Sequence, residues 1–478
     1  MSRLHTGDPL DWANRQFSGV DLGDARLEKR TIRVAAAMAG RPGVSIPRLS
    51  ATWGETKAAY NLFAHPAATP EALQHAHREQ VREALGSPGV KLLLEDTTDC
   101  SWSGNEPVPG LGPIGTGAKG LQGFQLHTTL AVAWSPEPWQ STGLSRRPAV
   151  EVLGLADQEY HVRRARRESE PIPSDPPSGA RESQLWERAT ERLGPAPPEA
   201  SWLRVCDRGA DIFSFLRSCQ THGHGFVVRA SADRRLEDSE PEQKRLLFPT
   251  VRAAASLGSF ALELRARPGQ AARVAELEVS ATAVRLRSPQ RAGAAAGRDP
   301  AIACTAVRVF ESQPPEGVAA LEWILLCSEA VTSFEQAMEC TLQYATRWLI
   351  EEFHKALKTG LGAERLQLKQ ATNLFAAIAV MSVVALRLLH LREVGRATPE
   401  APATHSGLGP TELAVLEAQS GRPLKTVAKV LAAVGRLGGH LGRKRDGPPG
   451  WLALWRGMDV LLIMVSGFLL AKKVLDYG

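Results

Sequence analysis

The sequence predicts a multidomain α/β chain, with a strand-bearing core between two helical segments. Three observations predict it. At 478 residues the chain exceeds the size at which one hydrophobic core keeps growing. Apolar residues recur at helical spacing before about residue 86 and after about 371, and strand-like runs concentrate between. Within that middle part strands and helices alternate, which is the pattern of a layered α/β sheet.

The first element is helical: DLGDARLEKRTIRVAAAMAG spaces Leu22, Leu27, Ile32 and Ala35 for one face and closes on Gly40, a common stop just past a helix. A second helix contains Thr56 to Phe63, and a third runs from Thr69 to Leu85 with Pro70 in its first turn. These helices carry Arg26, Lys29, Arg30, Arg33, Arg41, Arg48 and Lys57. Val90 to Leu94 then reads as an apolar strand ending in Glu95-Asp96-Thr97-Thr98, and a Gly-rich loop leads to a second strand, Phe124 to Trp134. A third strand is expected at Val150 to Leu155, and an irregular connection at Arg163 to Ser183. A helix around Gln184 to Arg188, a strand Trp202 to Cys206, the corner Asp207-Arg208-Gly209, a helix Ala210 to Cys219 and a strand Gly225 to Arg229 follow. Three strands, helix, strand, helix, strand is the order of a ribonuclease-H-like core. Residues 231 to about 331 interrupt it with strand-like pieces and read as a β-rich insertion. One long helix, with no Gly or Pro inside it, is expected from Ser333 to Thr359, and helices split by a Pro/Gly/Ala loop complete the chain. The expected domains are 1–86, 87–370 and 371–478.

Composition excludes several classes. Hydrophobic content of 43% with 23% charged residues is that of a folded protein, not a disordered one. Six scattered cysteines with no C-x-x-C pair argue against a zinc finger or a secreted disulfide framework, so a cytoplasmic location is expected. The apolar runs Leu374 to Leu386 and Val460 to Ala471 are shorter than the ~20 residues a bilayer requires, so no membrane span is expected. GLGPIGTG lacks the Lys-Ser/Thr of a phosphate-binding loop, and no nucleotide cofactor is expected. Fifty-seven basic against fifty-one acidic side chains give a net charge of +6, which permits a polyanionic partner without requiring one.

Two acids stand where strands end. Leu92, Leu94 and Asp96 share one face by the period of two, and Val205-Cys206 delivers Asp207 in the same manner. Neighbouring strands could bring them together, and two carboxylates at about 4 Å repel by roughly 4 kcal/mol at an effective dielectric near 20, so the pair needs a proton or a cation. Oxygen-only ligands favour magnesium or manganese. The same acids would equally cap the turns they begin. On the long helix Tyr344, Arg347, Glu351 and Lys358 fall in one stripe at 100° per residue, a face suited to a metal-binding carboxylate flanked by phosphate-binding cations, or to an ordinary salt-bridged surface. Glu352 points about 100° away. A lone His354 without ligand-spaced partners reads as structural.

The strings LLLEDTTDCSW, VCDRGADIFSFL, GFVVR, LEWILLCSE and YATRWLIEEFHKALKTGLGAERLQ together resemble bacterial DDE transposases of the insertion-sequence-four family, the transposon-five type in particular. DWANRQFSGVDLGDARLEKR resembles the DNA-binding domain of that family, and LGGHLGRKRDGPPGWLALWRGM its dimerising C-terminus. The resemblance implies a metal-binding catalytic triad of Asp96, Asp207 and Glu351 with two Mg2+ ions, Mn2+ as a substitute. It implies DNA contacts from Tyr344, Arg347 and Lys358, an active-site arginine at Arg229, and a tryptophan, Trp323, that takes a flipped base, although Trp323 also alternates as a core residue would. Arg26, Lys29, Arg30 and Arg33 would grip DNA. The implied partners are double-stranded transposon ends, target DNA and a second copy of the chain, in a bacterial cytoplasm and on the nucleoid when bound. The Gly-rich loop after Asp96 and the stretch Glu168 to Gly179 depart from the transposon-five pattern. A ribonuclease-H-like nuclease without strand transfer and a non-catalytic end-binding inhibitor are the alternatives.

Overall fold

A computed structural model of the chain describes residues 8–104, 106–115, 121–135, 148–163, 181–237, 245–264, 271–289, 300–443 and 446–476. Five helices come first: α1 (Pro9–Phe17), α2 (Ala25–Gly40), α3 (Ile46–Leu49), α4 (Trp53–Phe63) and α5 (Pro70–Leu85). Their starts are written locally. Asp8, Asp24, Thr52 and Thr69 each accept a backbone N–H of the first turn, and Thr52 and Glu55 form a reciprocal capping box.

The strands and helices that follow are β1 (Gly89–Ser103), β2 (Gly112–Pro113), β3 (Leu121–Trp134), β4 (Glu151–His161), α6 (Leu185–Leu193), β5 (Ala200–Cys206), α7 (Phe213–Thr221) and β6 (Gly225–Arg229). This is the mixed α/β order expected from the sequence. Next come α8 (Leu247–Arg252), β7 (Ser256–Leu264), β8 (Arg273–Leu286), β9 (Ile302–Glu311) and β10 (Glu322–Cys327). These are the strand-like pieces expected as a β-rich insertion, and they extend the same sheet. The order is β2-β3-β1-β5-β6-β10-β9-β8-β7, with β4 paired to β3. β6 would otherwise be an edge with unpaired backbone groups, and antiparallel β10 covers it through Leu325↔Arg229 to Cys327↔Val227.

The long helix expected over 333–359 is broken. α9 (Phe334–Thr346) ends at Arg347, α10 (Trp348–Lys355) follows, and Ala356–Gly360 forms a wider π-type turn. The last helices are α11 (Ala371–Ala397), α12 (Pro410–Ser420), α13 (Val427–Leu437) and α14 (Trp451–Asp476). α11 is longer than the apolar run that marks it, and by length and composition it could cross a membrane; 82% of its apolar window is buried inside the protein. It packs against α2, α5 and β4, so its apolar surface is core. Cys327 at the end of β10 and Cys340 in α9 are joined as a disulfide, which the scattered cysteine spacing did not lead one to expect.

One core runs from α1 and α2 through α11 to the Leu92, Leu94, Leu203 and Val205 face of the sheet and to Leu349, Ile350 and Phe353 of α10. The opposite face packs Cys206, Phe226 and Val228 on α6 and α7. The N-terminal helices are seated on the sheet through His77 of α5, which is fully buried. Its Nδ1 lies 2.6 Å from Gln16 Oε1, and its Nε2 accepts the Leu155 N–H at 3.0 Å. Gly154 makes room for it, since a Cβ there, at φ +139°, would lie 2.7 Å from the ring.

Candidate active site and nucleic-acid surface

β1 continues well past Leu94, so Asp96 lies within a strand instead of at its end, opposite Thr128 of β3. Its position is nonetheless terminal toward β5, because the parallel pairing of β1 with β5 stops at Glu95↔Cys206. Asp96 and Asp207 therefore leave the paired region side by side. The two-residue alternation puts both on the face that carries Leu94 and Val205, the one α10 covers. Asp207 also does what a turn-starting acid does, accepting the Gly209 N–H at 2.8 Å.

Glu351 comes down from the first turn of α10, where the helix dipole favours a carboxylate. Between it and Asp96 lies Arg347. Its Nη1 is 3.4 Å from Asp96 Oδ2, and its Nη2 is bonded to the Glu351 carboxylate. The break between α9 and α10 is at this residue, where the Arg347 N–H donates to Tyr344 O and the Arg347 carbonyl accepts the Ile350 N–H, both three residues apart. Burial pushes Asp96 up to about 6 against the pull of Arg347, and the charges of Asp207 and Glu351 push the same way as burial. His354, discounted on sequence grounds, is buried with Nδ1 4.0 Å from Asp96 Oδ2; burial, with Lys358 nearby, lowers it to about 3, so it faces the acid as a neutral ring. Glu352 points elsewhere, paired with Arg392.

Asp207 and Glu351 both push Asp96 up, and three neighbouring carboxylates are the donor chemistry of a hard divalent cation. Among the described residues no three ligand side chains are already gathered around one point. Arg347 supplies the compensating charge instead, so the residues fit such an ion chemically once that guanidinium withdraws.

The remaining expected contacts are distributed. Tyr344 is half-buried near Arg347. Lys358 does not share a straight stripe with Glu351, because the π-type turn carries it away; its Nζ donates to Asp99 O at 2.5 Å and lies 3.3 Å from Glu364. Arg229 ends β6, and its Nη2 donates to the Glu322 carbonyl at 3.4 Å, next to the half-buried Trp323 of β10. Arg443 is described and exposed, whereas Lys444, Arg445 and the stretch Glu168 to Gly179 lie outside the described residues.

Behind Asp96, on the other face, is a buried ionic cluster that periodicity did not signal. Glu95, Arg204 and His127 are all fully buried. Arg204 pairs with the Glu95 carboxylate, His127 Nε2 lies 3.7 Å from it, and Thr129 Oγ1 donates to it at 3.4 Å. Burial lowers His127 to about 4, so Arg204 carries the opposing charge. The one available signal was an arginine inside the otherwise apolar run Trp202 to Cys206.

On the N-terminal helices, Leu27, Thr31, Ile32, Ala35 and Met38 of α2 face the core. Arg26, Lys29, Arg30 and Arg33 consequently face outward, and with Arg41, Thr52 and Gly54 they line a groove of about 900 Å3 between α2 and the start of α4. Arg26 is partly engaged by its own helix cap, Asp24, at 2.8 Å. Trp53 stands 76% exposed at the rim. A basic groove with an exposed aromatic is suited to a nucleic-acid backbone. Residues 9–68, from α1 to just past α4, match the family model described as transposase DNA-binding. The N-terminal helices are thus similar to a transposase DNA-binding domain, and the match supports a chain that works on DNA as a transposase.

Proposed function

We propose that the chain is a cut-and-paste DNA transposase of the insertion-sequence-four, transposon-five type. The observation that carries this is the placement of Asp96 and Asp207 side by side at one end of the β1–β5 pair, with Glu351 linked to Asp96 through Arg347, in a chain whose residues 9–68 match a transposase DNA-binding family. These three acids would hold two Mg2+ ions, or Mn2+, which when bound polarise the scissile phosphodiester and activate the attacking oxygen. Arg347 leaves the carboxylates for this to happen, and its guanidinium then suits a phosphate. Neutral His354 and the buried Glu95–Arg204 pair hold the Asp96 strand in place from both faces. Tyr344, Lys358 and Arg229 contact the transposon end, and Trp323 offers a ring for an extruded base.

One carboxylate site serves first-strand nicking, hairpin formation, hairpin opening and joining, because each is in-line attack by an oxygen on a phosphodiester. The α2 groove grips the end. The C-terminal helix α14 presents Ile463, Phe468, Leu470 and Val474 to solvent, an apolar surface consistent with a homodimer holding two ends. The protein acts in a bacterial cytoplasm, on the nucleoid when bound.

Incubating the full chain with Mg2+ and the short inverted repeats that flank its coding sequence tests this. Nicks, hairpins and joined products are expected from the parent. Asp96→Asn, Asp207→Asn and Glu351→Gln should each abolish cleavage while the repeats remain bound. Nicks without hairpins or joining would instead identify a nuclease of the same fold, and binding without any cleavage an end-binding inhibitor.

A further inference from the structure

Past Glu95, β1 has no strand beside it on the β5 side among the described residues. Its parallel pairing with β5 ends at Glu95↔Cys206, whereas its antiparallel pairing with β3 runs on to Ser103↔Leu121. Backbone groups of residues two apart face the same edge of a strand, so Thr97, Asp99 and Ser101 form one row. Side chains fill that row in place of a neighbouring strand. The Thr97 N–H donates to Asp96 Oδ1 at 2.9 Å, the Asp99 carbonyl accepts Lys358 Nζ at 2.5 Å, and the Ser101 N–H donates to Glu364 Oε1 at 2.9 Å. Ser101 Oγ donates to the same oxygen at 3.2 Å.

Two departures from regular helix bring Glu364 to this edge. The π-type turn Ala356–Gly360 ends α10, and Gly362, at φ +71°, then reverses the chain into the short turn Ala363–Arg365. Ala363 is fully buried on one side of Glu364, and on the other Trp102 Nε1 donates to the Leu366 carbonyl at 3.1 Å, so the segment is pinned to β1 around the carboxylate. Glu364 Oε1 lies 3.3 Å from Lys358 Nζ. An ammonium carries three N–H donors, and Asp99 and Glu364 take two of them. The third suits a phosphate oxygen arriving from solvent, because both side chains remain about one-quarter exposed, at 26% and 27%.

We propose that Glu364 is a positioning residue for end cleavage: anchored on the Ser101 N–H, it holds Lys358 against the unpaired edge of β1 as a preformed contact for a phosphate of the strand being cut. This rests on the transposase reading. Asp99 lies three residues, about 10 Å, along β1 from Asp96, so the ammonium and the acids address one stretch of one DNA strand. A lysine waving in solvent loses its rotamer freedom when it meets a phosphate, whereas here that freedom is already lost on folding. The sign of the charge makes the assignment sharp. An acid that acted only by its charge would repel DNA, so its removal would tighten binding; an acid that positions Lys358 gives the opposite result.

The test uses the full chain with duplexes of the flanking inverted repeats, comparing the parent with Lys358→Ala, Glu364→Ala, Glu364→Gln and the double variant Lys358→Ala/Glu364→Ala. Lys358→Ala should shrink the log–log salt slope of repeat binding by about 1, for one lost phosphate contact, and slow Mg2+-dependent nicking at saturating DNA at least about tenfold. Glu364→Ala should do the same although it removes a negative charge, and the double variant should match either single one within about twofold. Glu364→Gln still accepts the Ser101 N–H and should recover most of both losses, which separates lost anchoring from lost charge and lost fold. Tighter binding by Glu364→Ala with an undiminished slope overturns the assignment. So does a double-variant loss equal to the product of the single ones, or a Glu364→Gln variant as impaired as Glu364→Ala. A parent that binds the repeats and never nicks them overturns the transposase reading, and the salt slopes of the four variants still decide whether Glu364 holds Lys358 for DNA.

Discussion

Replacing Arg204 with Met leaves Glu95 without its ion-pair partner at 0% exposure. The other groups near that carboxylate are too weak to substitute: Thr129 Oγ1 is 3.4 Å away, and His127, at 3.7 Å, is held neutral by burial. The folded variant therefore either keeps an uncompensated buried charge or protonates Glu95. Breaking a buried pair from one side costs about 3–5 kcal/mol. Protonation sets a ceiling, because neutralising a carboxylic acid of ordinary pKa about 4.3 at pH 7 costs about 1.36 × 2.7, or roughly 3.7 kcal/mol. The expected loss is thus about 3–4 kcal/mol at pH 7. Its sign with pH follows. A carboxyl group that stays protonated in the folded state has its pKa raised there, so the penalty grows as pH rises above the unfolded value and fades below it, to about 1 kcal/mol at pH 5. Urea unfolding at both pH values, followed by tryptophan fluorescence, measures it. Adding Glu95→Gln should recover at least half of the loss at pH 7. A penalty of the same size at pH 5 and pH 7, or no recovery in the double variant, would refute the account of a single uncompensated carboxylate.

Other outcomes are expected. His77 is buried neutral and lowered to about 3, so it binds its proton less readily folded than unfolded; stability falls as pH drops below about 6.5, by about 2 kcal/mol at pH 5 from this group alone, and His77→Gln should flatten that part of the urea-midpoint profile. Arg347→Met removes the cation that bridges Asp96 and Glu351, so the Asp96 carboxyl should titrate higher than in the parent by carbon-13 NMR, and an unshifted titration would contradict the bridge. Gly43 has φ +75° and a Cβ there would lie 2.6 Å from Gly360 O, so Gly43→Ala should cost about 1–2 kcal/mol from the backbone alone and speed proteolysis between α2 and α4. Ile463→Asp with Leu470→Asp on α14 should shift a dimer toward monomer in sedimentation, without lowering the helix content.

The order of the core elements was legible because it is written in local pattern. The GFVVR strand coincides with β6, α2 closes at Gly40 as its spacing predicts, and α5 begins at Pro70. Alternation put Asp96 on the Leu94 face and Asp207 on the Val205 face, and the β1–β5 pairing, which no local pattern names, made them neighbours. The β-rich insertion was legible as strands, but its pairing was not: β10 is found beside β6 because that edge needs hydrogen-bond partners, and a run of alternating residues does not name the strand it will pair with. The stripe of Tyr344, Arg347, Glu351 and Lys358 was misjudged. It assumed an unbroken helix, and no Gly or Pro marks the break at Arg347 or the π-type turn that turns Lys358 toward Asp99.

By itself, the sequence determined which residues could do chemistry: two acids on strand-like runs and one on a helix, a basic N-terminal helix, and a set of strings that together resemble one transposase family. Tertiary structure alone decided what each of them meets. It set Arg347 between two of the acids, buried Glu95 against Arg204 on the face of the sheet opposite Asp96, and gathered Arg235 and Arg287 into one cavity. The physical reason is range. Caps, turns and periodicity act over a few residues, whereas the charge that a carboxylate faces is set by packing between elements up to a few hundred residues apart.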